Sequence, residues 1–179
     1  MAGNTPIMLL DVDGPLNPYA AKANKRPEGY TVHRMTPTGW EDNPLHVWLN
    51  HSMGAQLKSL GYEIIWATTW AKDANEWISP HIGLPTDLEC IEWGPHGAEI
   101  EQPGLRKLYW KTPQIAAWMH EHYPDRPFIW VDDEAFKKDE KYLKSKLGQP
   151  LKVFTINPAK GIDDDDLKDF KDWKDDLGG

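Results

Sequence analysis

Five short apolar runs recur along the chain at wide spacing, at residues 7–12, 62–67, 88–93, 127–131 and 151–155. Each is continuous rather than alternating, the pattern of strands covered on both faces, as in a parallel sheet. Helical periodicity fills most of the gaps. Asn43-Pro44 reads as an N-cap with proline at the first helical position, and Leu45, Trp48, Leu49, Met53, Leu57 and Leu60 follow at helical spacing until Gly61 ends the run. Asp73 with Glu76 three residues later reads as a capping box. Thr112-Pro113 reads as the cap of a further helix carrying Ile115, Ala116, Trp118 and Met119. Leu167, Phe170, Trp173 and Leu177 mark one face of a C-terminal helix whose first turn is rich in aspartate, which suits its dipole, and Asp164 and Lys168 are spaced to pair.

Strands alternating with helices predict βαβ units joined by right-handed crossovers. The expected fold class is α/β: a single Rossmann-like three-layer domain over residues 1–179 with a mainly parallel five-stranded sheet. Residues 15–42 fit no βα pattern. This long connection, rich in proline and glycine, reads as a flap insert, with residues 30–35 as one arm of a hairpin within it.

Composition narrows the setting. At 179 residues the chain can bury one real core. No run approaches the roughly 18 apolar residues of a membrane span, and no basic stretch leads into an apolar one at the N-terminus, so a cytoplasmic protein without a membrane partner is expected. The single cysteine, Cys90, excludes an intrachain disulfide and lies in an apolar strand, where an inert thiol is expected. A net charge of −8 argues against wrapping a long polyanion but leaves room for one local phosphate pocket. The ten tryptophans read as packing residues.

The chemistry concentrates where the apolar runs end. The first passes into Asp11-Val12-Asp13-Gly14, the second into Thr68-Thr69 and the fourth into Asp132-Asp133-Glu134, while Lys111 directly precedes Thr112-Pro113. Carboxylates are costly to desolvate unless paired or bound to a cation, and the carboxyl edge of a parallel sheet is where ligands sit. Singly, these are a turn, a strand-end hydroxyl, a solvated lysine and a helix cap. Together they supply oxygen ligands for magnesium, a carboxylate nucleophile, a hydroxyl donor and a cation near a helix N-terminus, the parts that phosphoryl transfer requires. The sequence has no P-loop and no GxGxxG segment, and its seven histidines lack zinc-ligand spacing.

In order, these segments have the form of an apolar strand ending in DxDG, a second ending in Thr, a lysine, and a third strand ending in DD. The chain thereby resembles the haloacid dehalogenase (HAD) superfamily of phosphohydrolases. More narrowly, Trp66-Ala67-Thr68-Thr69-Trp70 with the following Ala74-Asn75, and Trp130-Val131-Asp132-Asp133-Glu134, resemble small capless HAD proteins of actinobacteria and their phages, some of them associated with nucleic-acid end repair. The resemblance implies that Asp11 attacks phosphorus to form an aspartyl-phosphate. Asp13 would protonate the leaving oxygen and then activate water. Thr68 and Lys111 would hold the phosphoryl oxygens, with Thr69 and Lys107 as alternatives, and Gly14 and Thr69 would lie against substrate. Magnesium would be held by Asp11, Asp132, the backbone carbonyl of Asp13, and Asp133 directly or through water.

The second acid, Asp13, favours phosphate chemistry over carbon–halogen cleavage within that superfamily. Neither residues 15–42 nor the stretch between Thr69 and Lys111 has the length for a large cap, so the site is open to a phosphate displayed on a larger molecule, or to a small one if an oligomer closes over it. Lys22, Lys25, Arg26, His33 and Arg34 gather positive charge in the insert, interleaved with Tyr19 and Tyr30. If the insert hangs over the site, Lys25 and Arg26 suit nucleotides or nucleic-acid ends; otherwise these are solubilising residues on a long loop. The expected activity is magnesium-dependent phosphomonoester hydrolysis. The alternative is a HAD-fold binding or scaffold protein without turnover.

Overall fold

The computed structural model describes residues 5–95 and 107–178. Its first strand, β1 (Ile7–Leu10), is central. It pairs in parallel with β4 (Glu63–Trp66) on one side and β5 (Phe128–Asp132) on the other, and β6 (Leu151–Thr155) continues the sheet beyond β5. The register is level: Leu10 lies opposite both Trp66 and Val131. The Asp11 N–H bonds the Val131 carbonyl at 3.0 Å, and the Ala67 N–H bonds the Leu10 carbonyl at 2.8 Å. Three strands therefore finish at the same height.

Both faces of the sheet are covered, which accounts for the continuous apolar runs. Ile7, Leu9, Phe128 and Trp130 join a core with α4 (Lys111–His122) and α5 (Lys137–Lys146) through Ile115, Met119 and Leu143. Met8, Leu10, Ile129 and Val131 face the other way. Their core includes Leu57 of α1 (Met53–Ser59), Ala74 of α2 (Asp73–Trp77), Ile82 of α3 (Ser79–Ile82) and Phe170 of α6 (Asp164–Asp176). No described helix is long and apolar enough to cross a membrane.

Several expectations need correction. The helix read from Leu45 to Leu60 is two elements: a strand, β3 (Leu45–Asn50), and then α1. Within residues 45–50 the period is two, with Val47 and Leu49 buried, and β3 pairs antiparallel with β2 (Tyr30–Met35). Residues 30–35 do form a hairpin arm, but its partner lies beyond the expected insert. The sheet has four described strands rather than five. Residues 88–93 contribute one bridge, Cys90 opposite Trp66, because the Asn75 side chain takes both the N–H and the carbonyl of Leu88. The question of a cap between Thr69 and Lys111 extends into residues 96–106, which lie outside the described residues.

The caps also differ. Asp73 closes no capping box; it accepts the Thr38 N–H and hydroxyl, tying α2 to the β2–β3 connection. Thr112 lies inside the first turn of α4 and donates its hydroxyl to Asp139 at 2.7 Å. In α6 the box is Asp163 with Asp166, and the i,i+4 pairs are Lys168–Asp172 and Lys171–Asp175 rather than Asp164–Lys168.

Phe170 is fully buried edge-on to Phe154 at 4.9 Å, and its carbonyl accepts the Tyr62 hydroxyl at 2.6 Å. Truncation leaves a cavity under α6, so Phe170→Ala is expected to cost about 3–5 kcal/mol. The reading is a lower urea midpoint at unchanged slope. A loss below about 1 kcal/mol would mean that α6 does not seal this face of the core.

Candidate active site

The level strand ends bring Asp11, Ala67 and Asp132 together, and one side chain joins them. Lys111, at the start of α4, is almost fully buried. Its ammonium donates to the Ala67 carbonyl at 3.0 Å and to Asp132 Oδ2 at 2.9 Å, and it lies 3.1 Å from Asp11 Oδ2. An ammonium has three donors, and here each has an oxygen. The approach of Lys111 is fixed from behind. Asp139 of α5, itself buried, accepts the Tyr109 N–H at 2.9 Å and the Thr112 hydroxyl, holding the first turn of α4 in place. Trp93, Tyr109 and Trp110 stand around the ammonium with ring centroids 5.4–5.9 Å away.

Charge in this pocket is out of balance. Oxygens of Asp11, Asp132 and Asp133 all lie within 4.8 Å of one another, and all three residues are buried. One ammonium faces three carboxyl groups. Burial pushes the Asp11 carboxyl well above the usual carboxylate range; Lys111 opposes this, and the charges of Asp132 and Asp13 add to it. Burial likewise pushes Asp133 up to about 6, against a hydrogen bond from Tyr19. Burial opposes the charged form of Lys111, but Asp11 and Asp132 more than offset it and raise its pKa. An all-oxygen donor set with surplus negative charge fits a hard divalent cation. Among the described residues this is the group of Asp, Glu, His and Cys side chains arranged to hold one.

Asp13 stands apart from that triad. Its Oδ1 accepts the Asn17 amide at 2.9 Å and its Oδ2 the Trp70 indole N–H at 3.0 Å, so each carboxylate oxygen is fixed by a separate donor. Asn17 also accepts the Trp48 N–H of β3 at 3.0 Å, which links Asp13 to the hairpin. Gly14 makes the turn possible. Its φ is +96°, and a Cβ there would lie 2.5 Å from the Asp133 side chain, so both the left-handed backbone and the close approach demand glycine. On the far side of Asp133 the Tyr19 hydroxyl donates to Oδ2 at 2.7 Å.

A cavity of about 320 Å³ opens over these groups, bounded by Asp11, Asp13, Thr69, Lys111, Asp133 and Tyr19. Of the two candidate threonines, Thr68 is fully buried, and its hydroxyl accepts the Trp70 N–H at 3.3 Å, whereas Thr69 is exposed and lines the cavity. Of the two lysines, Lys111 is in the pocket and Lys107 is exposed. Neither Lys25 nor Arg26 is among the residues lining this cavity. The Arg26 guanidinium instead stacks on the Trp48 ring of β3 at 3.6 Å, so the basic segment is drawn against the hairpin. Asn17, Trp70, Trp93 and Asp139 are not expected at the site from the sequence, whereas Tyr19, expected there as an aromatic of the insert, donates to Asp133. Trp93 donates its indole N–H to the Thr68 carbonyl at 2.9 Å, and two of the tryptophans set aside as packing residues are thus polar partners of the site. A signal was present for Asn17 and Trp70, which lie four residues after Asp13 and two after Thr68.

The arrangement combines a buried ammonium, the carboxylate of Asp11 beside it, a second acid held by two donors and an oxygen cluster with surplus negative charge. No curated protein matches the chain, and no solved structure matches it. A family match extends over residues 7–167, from the first residue of β1 into α6, and contains every one of these groups. The chain belongs to the family described as the HAD domain in Swiss Army Knife RNA repair proteins.

Proposed function

We propose that the protein is a magnesium-dependent phosphomonoester hydrolase acting on the phosphate of a nucleotide or an RNA end, through an aspartyl-phosphate on Asp11. The observation that carries this is the buried Lys111 ammonium bridging Asp11 and Asp132 beside Asp133, at the level ends of adjacent strands. Membership in a family named for RNA repair supports the substrate class.

In the first step a carboxylate oxygen of Asp11 bonds to phosphorus as the bond from phosphorus to the leaving oxygen breaks, and Asp13 gives its proton to that oxygen. In the second step Asp13 takes a proton from water, whose oxygen bonds to phosphorus as the bond to Asp11 breaks. An alcohol and inorganic phosphate leave, and both acids are restored. Lys111 neutralises charge on the phosphoryl oxygens, and the Thr68-Thr69 turn offers hydroxyl and N–H donors to them. The Asn17 and Trp70 donors keep Asp13 aimed across the cavity in both steps. Asp11, Asp132 and Asp133, with the Asp13 backbone carbonyl, would hold magnesium, which when bound supplies charge neutralisation for the transferring group.

Two outcomes follow. Asp11→Asn keeps the side-chain volume and removes the nucleophile, so turnover of a nucleoside monophosphate should fall by about three orders of magnitude or more, with melting temperature nearly unchanged. Wild-type rates in that variant would refute the role of Asp11, while turnover that the substitution abolishes excludes a binding-only role. Magnesium relieves the crowding of carboxylates in the folded state only, so millimolar magnesium should raise the melting temperature of the wild-type protein. Asp132→Asn should lose that rise. An equal rise in both proteins would place the cation elsewhere.

A further inference from the structure

A second cavity, of about 260 Å³, adjoins the first and shares Asp13 and Thr69 with it. Asp13 thus stands on the boundary: one side of the wall faces Asp11 and Lys111, and the other faces a separate space. The β2–β3 hairpin and its connection build that space, through Trp40, Leu45 and His46, with Thr38, Trp70 and Asp73 completing it. Trp40 is 44% exposed, one of the few large apolar side chains left open on the described surface.

The charges of this second cavity are distinctive. Among the described residues no lysine or arginine lines it. Its two carboxylates already have donors: Asp73 accepts from the Thr38 N–H and hydroxyl, and Asp13 accepts from Asn17 and Trp70. A second phosphate placed here would meet two carboxylates and no fixed cation. A neutral group with an aromatic face and polar edges meets the Trp40 indole together with the Thr38 hydroxyl and the His46 imidazole.

We propose that this hairpin cavity receives the leaving group, and that the leaving group is a single nucleoside with its base against Trp40. The proposal rests on the phosphohydrolase reading above and adds the identity of what departs. The transferring phosphate occupies the cavity over Asp11, the ester oxygen falls at the shared wall where Asp13 protonates it, and the nucleoside lies beyond. Recognition within the cavity is of that one nucleoside, since no lysine or arginine among its described lining residues could pair a further phosphate. The hairpin thereby acts as a specificity element, joined to the acid through the Trp48–Asn17–Asp13 hydrogen bonds.

The test uses the full chain with magnesium and three substrates: adenosine monophosphate, glycerol phosphate as a ringless monoester, and a short oligoribonucleotide with the same terminal phosphate. Adenosine itself is titrated in parallel by equilibrium dialysis. Trp40→Ala should raise KM for adenosine monophosphate about tenfold, as loss of a base-stacking platform does. It should leave kcat/KM for glycerol phosphate within about twofold, Trp40→Phe should restore most of the loss, and adenosine binding should weaken in step. The oligonucleotide should have a KM within about threefold of the mononucleotide, because no further phosphate is bound. Turnover of all substrates with an unchanged KM for adenosine monophosphate in Trp40→Ala would overturn the nucleoside pocket and leave the hydrolase intact. An oligonucleotide KM lower by tenfold or more would overturn the restriction to one nucleoside. If no ester is hydrolysed, the hydrolase reading fails instead, and adenosine dialysis decides the pocket: equal binding by wild type and Trp40→Ala overturns it.

Discussion

A single buried ammonium ties together the part of the molecule on which everything else depends. Lys111 can be held inside the protein only because three oxygens from three adjacent strand ends meet it, the carbonyl of Ala67 and the carboxylates of Asp11 and Asp132. An unpaired charge at that depth would be strongly destabilising, and each partner carboxylate would be equally costly without the lysine. The constraint runs in both directions. The strands must end level, which the parallel register of β4, β1 and β5 secures, and α4 must begin where Asp139 fixes it. The cluster still carries more negative than positive charge, and that imbalance makes it a candidate for a divalent cation rather than only a structural ion pair.

Topology explains why the cluster forms where it does. In the order β4-β1-β5-β6 the chain moves to one side of β1 and then crosses to the other, so the connections after β1 and β5 diverge and leave a crevice between them. Asp11, Asp132 and Asp133 stand at that crevice. Asp13 lines the same cavity and is tied toward the hairpin by Trp70 and Asn17. The acids are thereby divided, three with oxygens close enough to share a cation and one held apart from them by its own two donors.

How much of this was legible in the sequence depends on how local the cause is. The strands β1 and β5 were plain because burial on both faces makes them continuous apolar runs, and the acids that end them have no reason to be there without a partner. Strand β3 was hidden because Leu45, Leu49 and Met53 also satisfy a helical spacing; only pairing with residues 30–35 decides for the period of two. The expected third strand failed because Asn75, thirteen residues upstream, takes the backbone groups of Leu88. Lys25 and Arg26 were judged by their charge and the aromatics interleaved with them, and stacking of Arg26 on Trp48 draws that segment to the hairpin. The Trp70 indole and the Tyr19 hydroxyl reach acids 57 and 114 residues away, distances over which no spacing rule operates.

The central claim is that Asp11 forms a covalent bond to phosphorus within this cluster. The most direct measurement uses Asp13→Asn and a small acyl phosphate, whose leaving carboxylate needs no proton, so the first step proceeds while the hydrolysis that Asp13 assists is slowed. After acid quench, peptide mass mapping should find the phosphoryl group on Asp11, and Asp11→Asn should show none. A phosphoryl group on any other residue, or steady hydrolysis of the acyl phosphate by Asp11→Asn at the wild-type rate, would contradict the account.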